Sequence, residues 1–140
     1  MPDASVPLIL TLVLDPASQQ FFDDLRQQYF PPERNFLQAH LTLFHHLPGT
    51  DYDRICAELT EVAAAEQALP LPVTGVRFLG RGVAYTLENT RLQALHKQLQ
   101  TRWQPTLTPQ DQQKLTPHVT VQNKVDPAVA RALHQALAVE

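Results

Sequence analysis

Twice along this chain an apolar run of strand type leads into a helix, and a proline-containing connection then leads into a second strand that opens with histidine. In the first half "VPLILTLVLD" is the continuous apolar run. "PASQQFFDDLRQQYF" follows, with Pro16 suited to a helix start and Phe21, Phe22, Leu25 and Tyr29 on a stripe of 3.6-residue period. Pro31-Pro32 ends that helix, and "HLTLF" is strand again, closed by Pro48-Gly49. In the second half "GVAYTLE" is the strand and "NTRLQALHKQLQTRW" the helix, with Asn89 as N-cap and Leu92, Leu95 and Leu99 on one face. The loop "QPTLTPQDQQKLTP" then leads into "HVTVQ".

The other segments fit around these units. "DYDRICAELTEVAAAEQ" and "DPAVARALHQALAVE" each form a helix directly after a His-strand, the second with Asp126 as N-cap and Pro127 at the first helical position. "LPVTGVRFLG" is a strand that pairs with "GVAYTLE" as a hairpin through Gly80-Arg81. The expected fold class is therefore α+β, in which strand, helix, strand, helix is used twice with one additional strand. At 140 residues the chain fits one compact domain with its own core, ordered apart from the first few and last few residues.

Strand geometry gives the two histidines a meaning. Side chains alternate across a strand, so His40 and Thr42 share one face and His118 and Thr120 share another, while Leu41, Leu43, Val119 and Val121 face a core. A single His-x-Thr reads as a sheet-edge histidine beside a threonine present for its β-propensity. Two, in equivalent places of a repeated order, ask for a common cause. If the halves are related by a pseudo-twofold axis, the pairs face each other across a cleft, which suits a phosphodiester. One neutral imidazole takes a proton from the attacking hydroxyl or water, the opposite imidazolium gives one to the leaving oxygen, and the threonine hydroxyls donate to the non-bridging oxygens.

Composition narrows the partners. A hydrophobic fraction of 44% with 18% charged residues is ordinary for a soluble globular protein. The net charge of −3 supplies no general attraction for nucleic acid, so strong binding to duplex is not expected and phosphate recognition must be local. The only cysteine, Cys56, lies at helical spacing among apolar residues and is read as a core residue. No basic segment precedes "VPLILTLVL", and Asp15-Pro16 stops that run far short of a membrane span. A cytoplasmic protein is the expectation.

"HLTL" and "HVTV", about half the chain apart, resemble the paired His-x-Thr/Ser-x signatures of the 2H phosphoesterase superfamily, also called the 2′-5′ RNA ligase-like or LigT-like family. The resemblance covers the whole chain in element order. It implies one domain over residues 1–140 made of two pseudo-symmetric lobes, with two antiparallel sheets flanking a central cleft and helices outside. It also implies a metal-independent phosphodiesterase, with no cofactor, acting on a 2′,3′-cyclic or 2′-5′ phosphodiester of a small nucleotide or an RNA end, with the direction, hydrolysis or reverse ligation, left open because the same acid and base can exchange roles. His40, Thr42, His118 and Thr120 are the implied catalytic tetrad, in a protein expected to act as a monomer away from membranes. A binding module that keeps the cleft for an RNA end or cyclic nucleotide, without turnover, is the alternative.

The chain departs from family members that bring an arginine shortly after the second signature, because here Gln122, Asn123 and Lys124 follow. Lys124 reads either as the phosphate-holding charge or as a solvated surface lysine. By strand parity Phe44 continues the His40–Thr42 face and Gln122 the His118–Thr120 face. Phe44 then offers a stacking platform for a base or closes the core, and Gln122 offers a hydrogen bond to the base. His45 and His46 complete no familiar metal-ligand spacing. Gly80-Arg81-Gly82 reads as a hairpin turn rather than a phosphate loop, and Arg34, Arg77 and Arg81 are candidates for a rim. His96 and His134 read as surface or boundary residues, and Trp103 as a core anchor.

Overall fold

A computed structural model of the protein describes residues 6–138. The ends expected to be disordered, and the last two positions of the expected C-terminal helix, lie outside the described residues. Strand β1 is Leu8–Leu12, helix α1 Pro16–Tyr29, β2 Leu41–Leu47, α2 Tyr52–Ala64, β3 Val73–Phe78, β4 Val83–Leu87, α3 Thr90–Trp103, β5 His118–Gln122 and α4 Pro127–Ala138. Short 3₁₀ turns occupy Pro32–Arg34, Gly49–Asp51, Gln104–Thr106 and Gln110–Gln112. The protein is α+β, with two antiparallel sheets, β1-β2 and β3-β4-β5.

Helix ends follow from local chemistry. Asp15 caps α1 by accepting the Ser18 N–H at 3.0 Å, with Pro16 as its first residue, and Asn89 caps α3 by accepting the Leu92 N–H at 2.9 Å. The Asn89 Nδ2 also donates to the Pro70 carbonyl at 2.7 Å, which ties the cap to the preceding chain. The β3–β4 hairpin closes as expected through Gly80 and Arg81, with Leu79 N–H donating to the Gly82 carbonyl at 2.8 Å and Gly80 at φ +90°.

The chain forms two compact units, and neither is a half of the sequence. One takes Leu43–Leu71 and Asn89–Leu115 with the residues up to Leu10; the other takes Thr11–Thr42, Pro72–Glu88 and the chain from Thr116 onward. The first unit is centred on Phe44, Leu47, Ile55, Leu99, Trp103 and Leu107, with Leu8, Leu10, Leu43, Leu59 and Val62 packed against them. Trp103 is the core anchor expected of it, and its indole N–H finds Glu58 at 3.1 Å. His96, expected near the surface, is instead 4% exposed: its ring stacks on Phe44 at 4.6 Å and its Nε2 donates to the Leu43 carbonyl at 2.9 Å. Cys56 on α2 is half-buried.

In the second unit the three-stranded sheet is buried along Val83, Ala84 and Tyr85 of its central strand. Helix α1 packs on β5 and α4 on β3. Phe22 of α1 meets Tyr85 edge-on at 5.6 Å. The helix of the first half thus lies on the signature strand of the second half, while α3, from the second half, lies on the Leu43–Leu47 part of β2 through His96 and Phe44. No helix among the described residues is long and apolar enough to cross a membrane.

Gly82, just before β4, lies against the backbone at the end of β5. A Cβ there would sit 1.9 Å from the Gln122 carbonyl oxygen and 2.7 Å from the Asn123 Cα, both backbone atoms that no rotamer change can move. Gly82→Ala should therefore destabilise the fold by about 1–3 kcal/mol in urea unfolding, the range typical of overpacking.

Burial of His96 pushes its pKa down, against smaller upward pulls from the Leu43 carbonyl and Asp111. With the folded value below the unfolded one, the unfolded chain binds the extra proton first. Stability contributed by neutral His96 should thus be full above the ordinary histidine range, decline as pH falls through it, and level off below the lowered folded value. His96→Gln, which keeps a donor for the Leu43 carbonyl, should flatten that part of the stability–pH curve in urea titrations.

Candidate active site

The two signature histidines are held in the same way. His40 Nδ1 lies 2.9 Å from the Gln38 carbonyl oxygen and His118 Nδ1 lies 2.7 Å from the Thr116 carbonyl oxygen, two residues upstream in each case. A carbonyl can only accept, so each Nδ1 carries the hydrogen and, in the neutral ring, each Nε2 carries the free lone pair. The contact persists when a ring gains a second proton, because Nδ1–H is a donor in both states. Each imidazole can therefore take a proton or give one at Nε2 without turning in its socket.

The surrounding chain makes these tethers available. His118 opens β5 and His40 immediately precedes β2, so the carbonyls at 116 and 38 lie before the strands proper. In the second unit the Pro117 carbonyl is taken by the Leu87 N–H at 3.0 Å, which continues the β4–β5 ladder and leaves Thr116 to serve the ring. Within β5 alternation is as expected: Val119 and Val121 are fully buried while His118 and Thr120 are partly exposed. In the first signature Leu41 is fully buried and His40 and Thr42 are partly exposed. All four tetrad candidates belong to one compact unit.

Helix α1 touches the backbone of the second signature and of the residue just before the first. Asp23 Oδ1 accepts the Ala39 N–H at 2.7 Å, and Gln19 Nε2 donates to the Ala39 carbonyl at 2.7 Å and to Asp23 Oδ1 at 3.1 Å. Arg26, 5% exposed, donates from Nη1 to the Thr120 carbonyl at 3.2 Å and from Nε to Asn35 Oδ1 at 3.1 Å, with its guanidinium 4.0 Å over the Phe30 ring. Burial pulls the Arg26 pKa down and the charge of Asp23 partly offsets it. Arginine remains a cation under such a shift. The sequence signal for Gln19, Asp23 and Arg26 is their spacing of four and three, a polar stripe beside the apolar one.

The remaining expected site residues stand differently. Phe44 is fully buried, stacked on His96 and edge-on to Trp103 at 5.4 Å, so it closes a core and offers no face to a base. Parity with Thr42 was no guide, because from Leu43 the chain belongs to the other compact unit and that side of the strand meets α3. Gln122 is 3% exposed, and its Oε1, itself buried, meets no donor among the described residues. Alternation gives a face, not how deeply α1 and the neighbouring chain cover it. Lys124 is exposed, in the left-handed region at φ 65°, with its N–H on Asn123 Oδ1 at 2.9 Å.

Arg81 donates from Nε to the Val125 carbonyl at 3.1 Å and accepts the Val125 N–H on its own carbonyl at 3.1 Å, so it zips the hairpin tip to the turn after β5. Arg34 and Arg77 are exposed. His45 and His46 are also exposed, and their two N–H groups converge on the carboxylate of buried Asp111 at 2.8 Å each. No group of three or more His, Cys, Asp or Glu residues gathers in a metal-holding arrangement among the described residues.

Comparison with known proteins places this sequence in a family. No curated protein matches the chain. The family model of the 2′-5′ RNA ligase superfamily matches residues 14–140, a span that includes both His-x-Thr signatures and all of α1 to α4. The chain belongs to the 2′-5′ RNA ligase superfamily, that is, to the 2H phosphoesterases.

Proposed function

We propose that the protein is a phosphodiesterase that opens a 2′,3′-cyclic phosphate on a small nucleotide or RNA end, with His40 and His118 as the proton-transfer pair. The observation that carries this reading is the matched pair of Nδ1 tethers, which presents two Nε2 atoms of the same tautomer from two His-x-Thr strands. One Nε2 removes the proton from water as the water oxygen bonds to phosphorus. The other, protonated, delivers its proton to the ribose oxygen as the P–O bond of the ring breaks. The hydroxyls of Thr42 and Thr120 donate to the non-bridging oxygens, where negative charge builds up. Because the tethers serve neutral and charged rings alike, the two imidazoles exchange roles in the reverse, ester-forming direction. A 2′-5′ diester fits the same pair of groups.

His40→Ala and His118→Ala should each lower kcat on a cyclic nucleotide by roughly 10²–10⁴-fold, the range typical of losing a proton-transfer group, with a smaller change in KM. The double variant should be scarcely slower than either single one, since both rings serve one proton-transfer cycle. Thr42→Val and Thr120→Val keep the β-branched shape and should lower kcat by at most about 10²–10³-fold, as for a lost oxyanion donor. Strictly additive histidine losses would show that the two strands are not one active site. Binding of the nucleotide without turnover by the unaltered protein would favour a binding module instead.

If one ring must be neutral and the other charged, kcat/KM should pass through a maximum with pH and fall on both sides. The profile should be the same with a metal chelator present. A rate abolished by chelator and restored by a single divalent ion would refute the two-histidine mechanism.

A further inference from the structure

Gln19, Asp23 and Arg26 recur at four and three residues, so they form one stripe along α1. Everything that stripe holds belongs to a signature or to the connection leading into one. Asp23 and Gln19 take both backbone polar groups of Ala39, the residue before His40, as a neighbouring strand otherwise would. Arg26 reaches Thr120 through its backbone carbonyl and Asn35, in the connection before His40, through its side chain. Packing of α1 on the sheet does not require this stripe, because Phe22 against Tyr85 already supplies an apolar contact. A buried guanidinium is an expensive way to fill space, and its value lies in a fork that donates in two fixed directions at once.

We propose that this polar stripe is the positioning device of the active site, fixing where the His40 signature stands relative to the His118 signature and so setting kcat rather than substrate affinity. Resting on the two-histidine reading of the site, the proposal assigns Asp23 and Arg26 as positioning residues that act through Ala39 and Thr120 and do not touch substrate. Two imidazoles that share one proton-transfer cycle need their Nε2 atoms held at a set separation across a phosphate, and a misplacement of about 1 Å is enough to lower a rate by about 10²-fold. Placement, and not charge, is the property required of the stripe.

The test uses the full chain with Gln19→Ala, Asp23→Ala, Asp23→Asn and Arg26→Lys, each checked by thermal unfolding and assayed on a 2′,3′-cyclic nucleotide. Asp23→Ala and Arg26→Lys should lower kcat by roughly 10–100-fold with KM changed by less than about threefold, since the reacting groups are present but displaced. Asp23→Asn keeps an oxygen to accept the Ala39 N–H and should recover most of the kcat lost in Asp23→Ala, whereas Arg26→Lys keeps the charge and loses the fork. Gln19→Ala, which removes only the donor to the Ala39 carbonyl, should fall between them and guards against failure of the others to fold. Unchanged kcat, or a rise in KM at constant kcat, would overturn the proposal, as would Asp23→Asn as slow as Asp23→Ala beside a fully active Arg26→Lys.

A second readout is independent of turnover. The ring carbon–hydrogen resonances of His40 should shift in Asp23→Ala and those of His118 in Arg26→Lys, while those of His134 on α4 stay in place. If the unaltered protein opens no cyclic phosphodiester, the function reading fails, and these shifts still decide the positioning role. Unmoved His40 and His118 resonances would refute it.

Discussion

A backbone carbonyl cannot donate, and that asymmetry governs the arrangement at both signatures. Pinning His40 and His118 through Nδ1 to the Gln38 and Thr116 carbonyls chooses the tautomer of each ring and leaves the lone pair of the neutral ring on Nε2. In each case the accepting carbonyl lies before the strand proper. This is a reason for histidine to come first and threonine third in "HLT" and "HVT". Histidine needs the free carbonyl behind it, and threonine needs only the same face of an extended chain.

The buried polar groups extend the same logic to strand edges. Arg26, His96 and Asp111 are all nearly inaccessible, and each meets backbone groups of a signature strand: Arg26 the Thr120 carbonyl, His96 the Leu43 carbonyl, Asp111 the N–H groups of His45 and His46. In small sheets, edge groups would otherwise be left without partners, and a desolvated unpaired peptide group costs about 1–3 kcal/mol. Side chains from helices and loops therefore stand in for missing strands. Asp111 shows what this does to the pleat. Adjacent N–H groups of a regular strand point in opposite directions, so two that meet one carboxylate require a local distortion, and there burial passes from Leu41 to Phe44 and Leu47 without regular alternation.

This bears on how much of the molecule could be read from its residues. The order of elements, the β3–β4 hairpin through Gly80-Arg81, the caps at Asp15-Pro16 and Asn89, and the shared face of His118 and Thr120 all depend on neighbours within a few positions, so pattern was sufficient. Phe44 and Gln122 were extrapolated along strands whose cover comes from distant segments, α3 over one and α1 beside the other, and both proved buried. His96 looked like a surface residue because a polar side chain on a helix usually is; nothing nearby in sequence announces the Leu43 carbonyl that receives it. Arg26 was hidden for the same reason, its partner lying far along the chain at Thr120.

Arg26 and His96 together show how one packing problem received two chemical answers. Each lies on a helix that packs on a signature strand from the other half of the sequence, and each donates to a carbonyl of that strand, at Thr120 or at Leu43. Within the first unit the donor is a neutral imidazole whose protonation burial opposes, so the stability that the neutral ring contributes declines with acid although its Nε2–H stays a donor. Within the second unit, where all four tetrad candidates reside, the donor is a guanidinium that keeps its hydrogens across the pH range in which histidines exchange protons. Arginine at position 26 thus gives the Thr120 carbonyl a donor that keeps its hydrogens where an imidazole would change its charge.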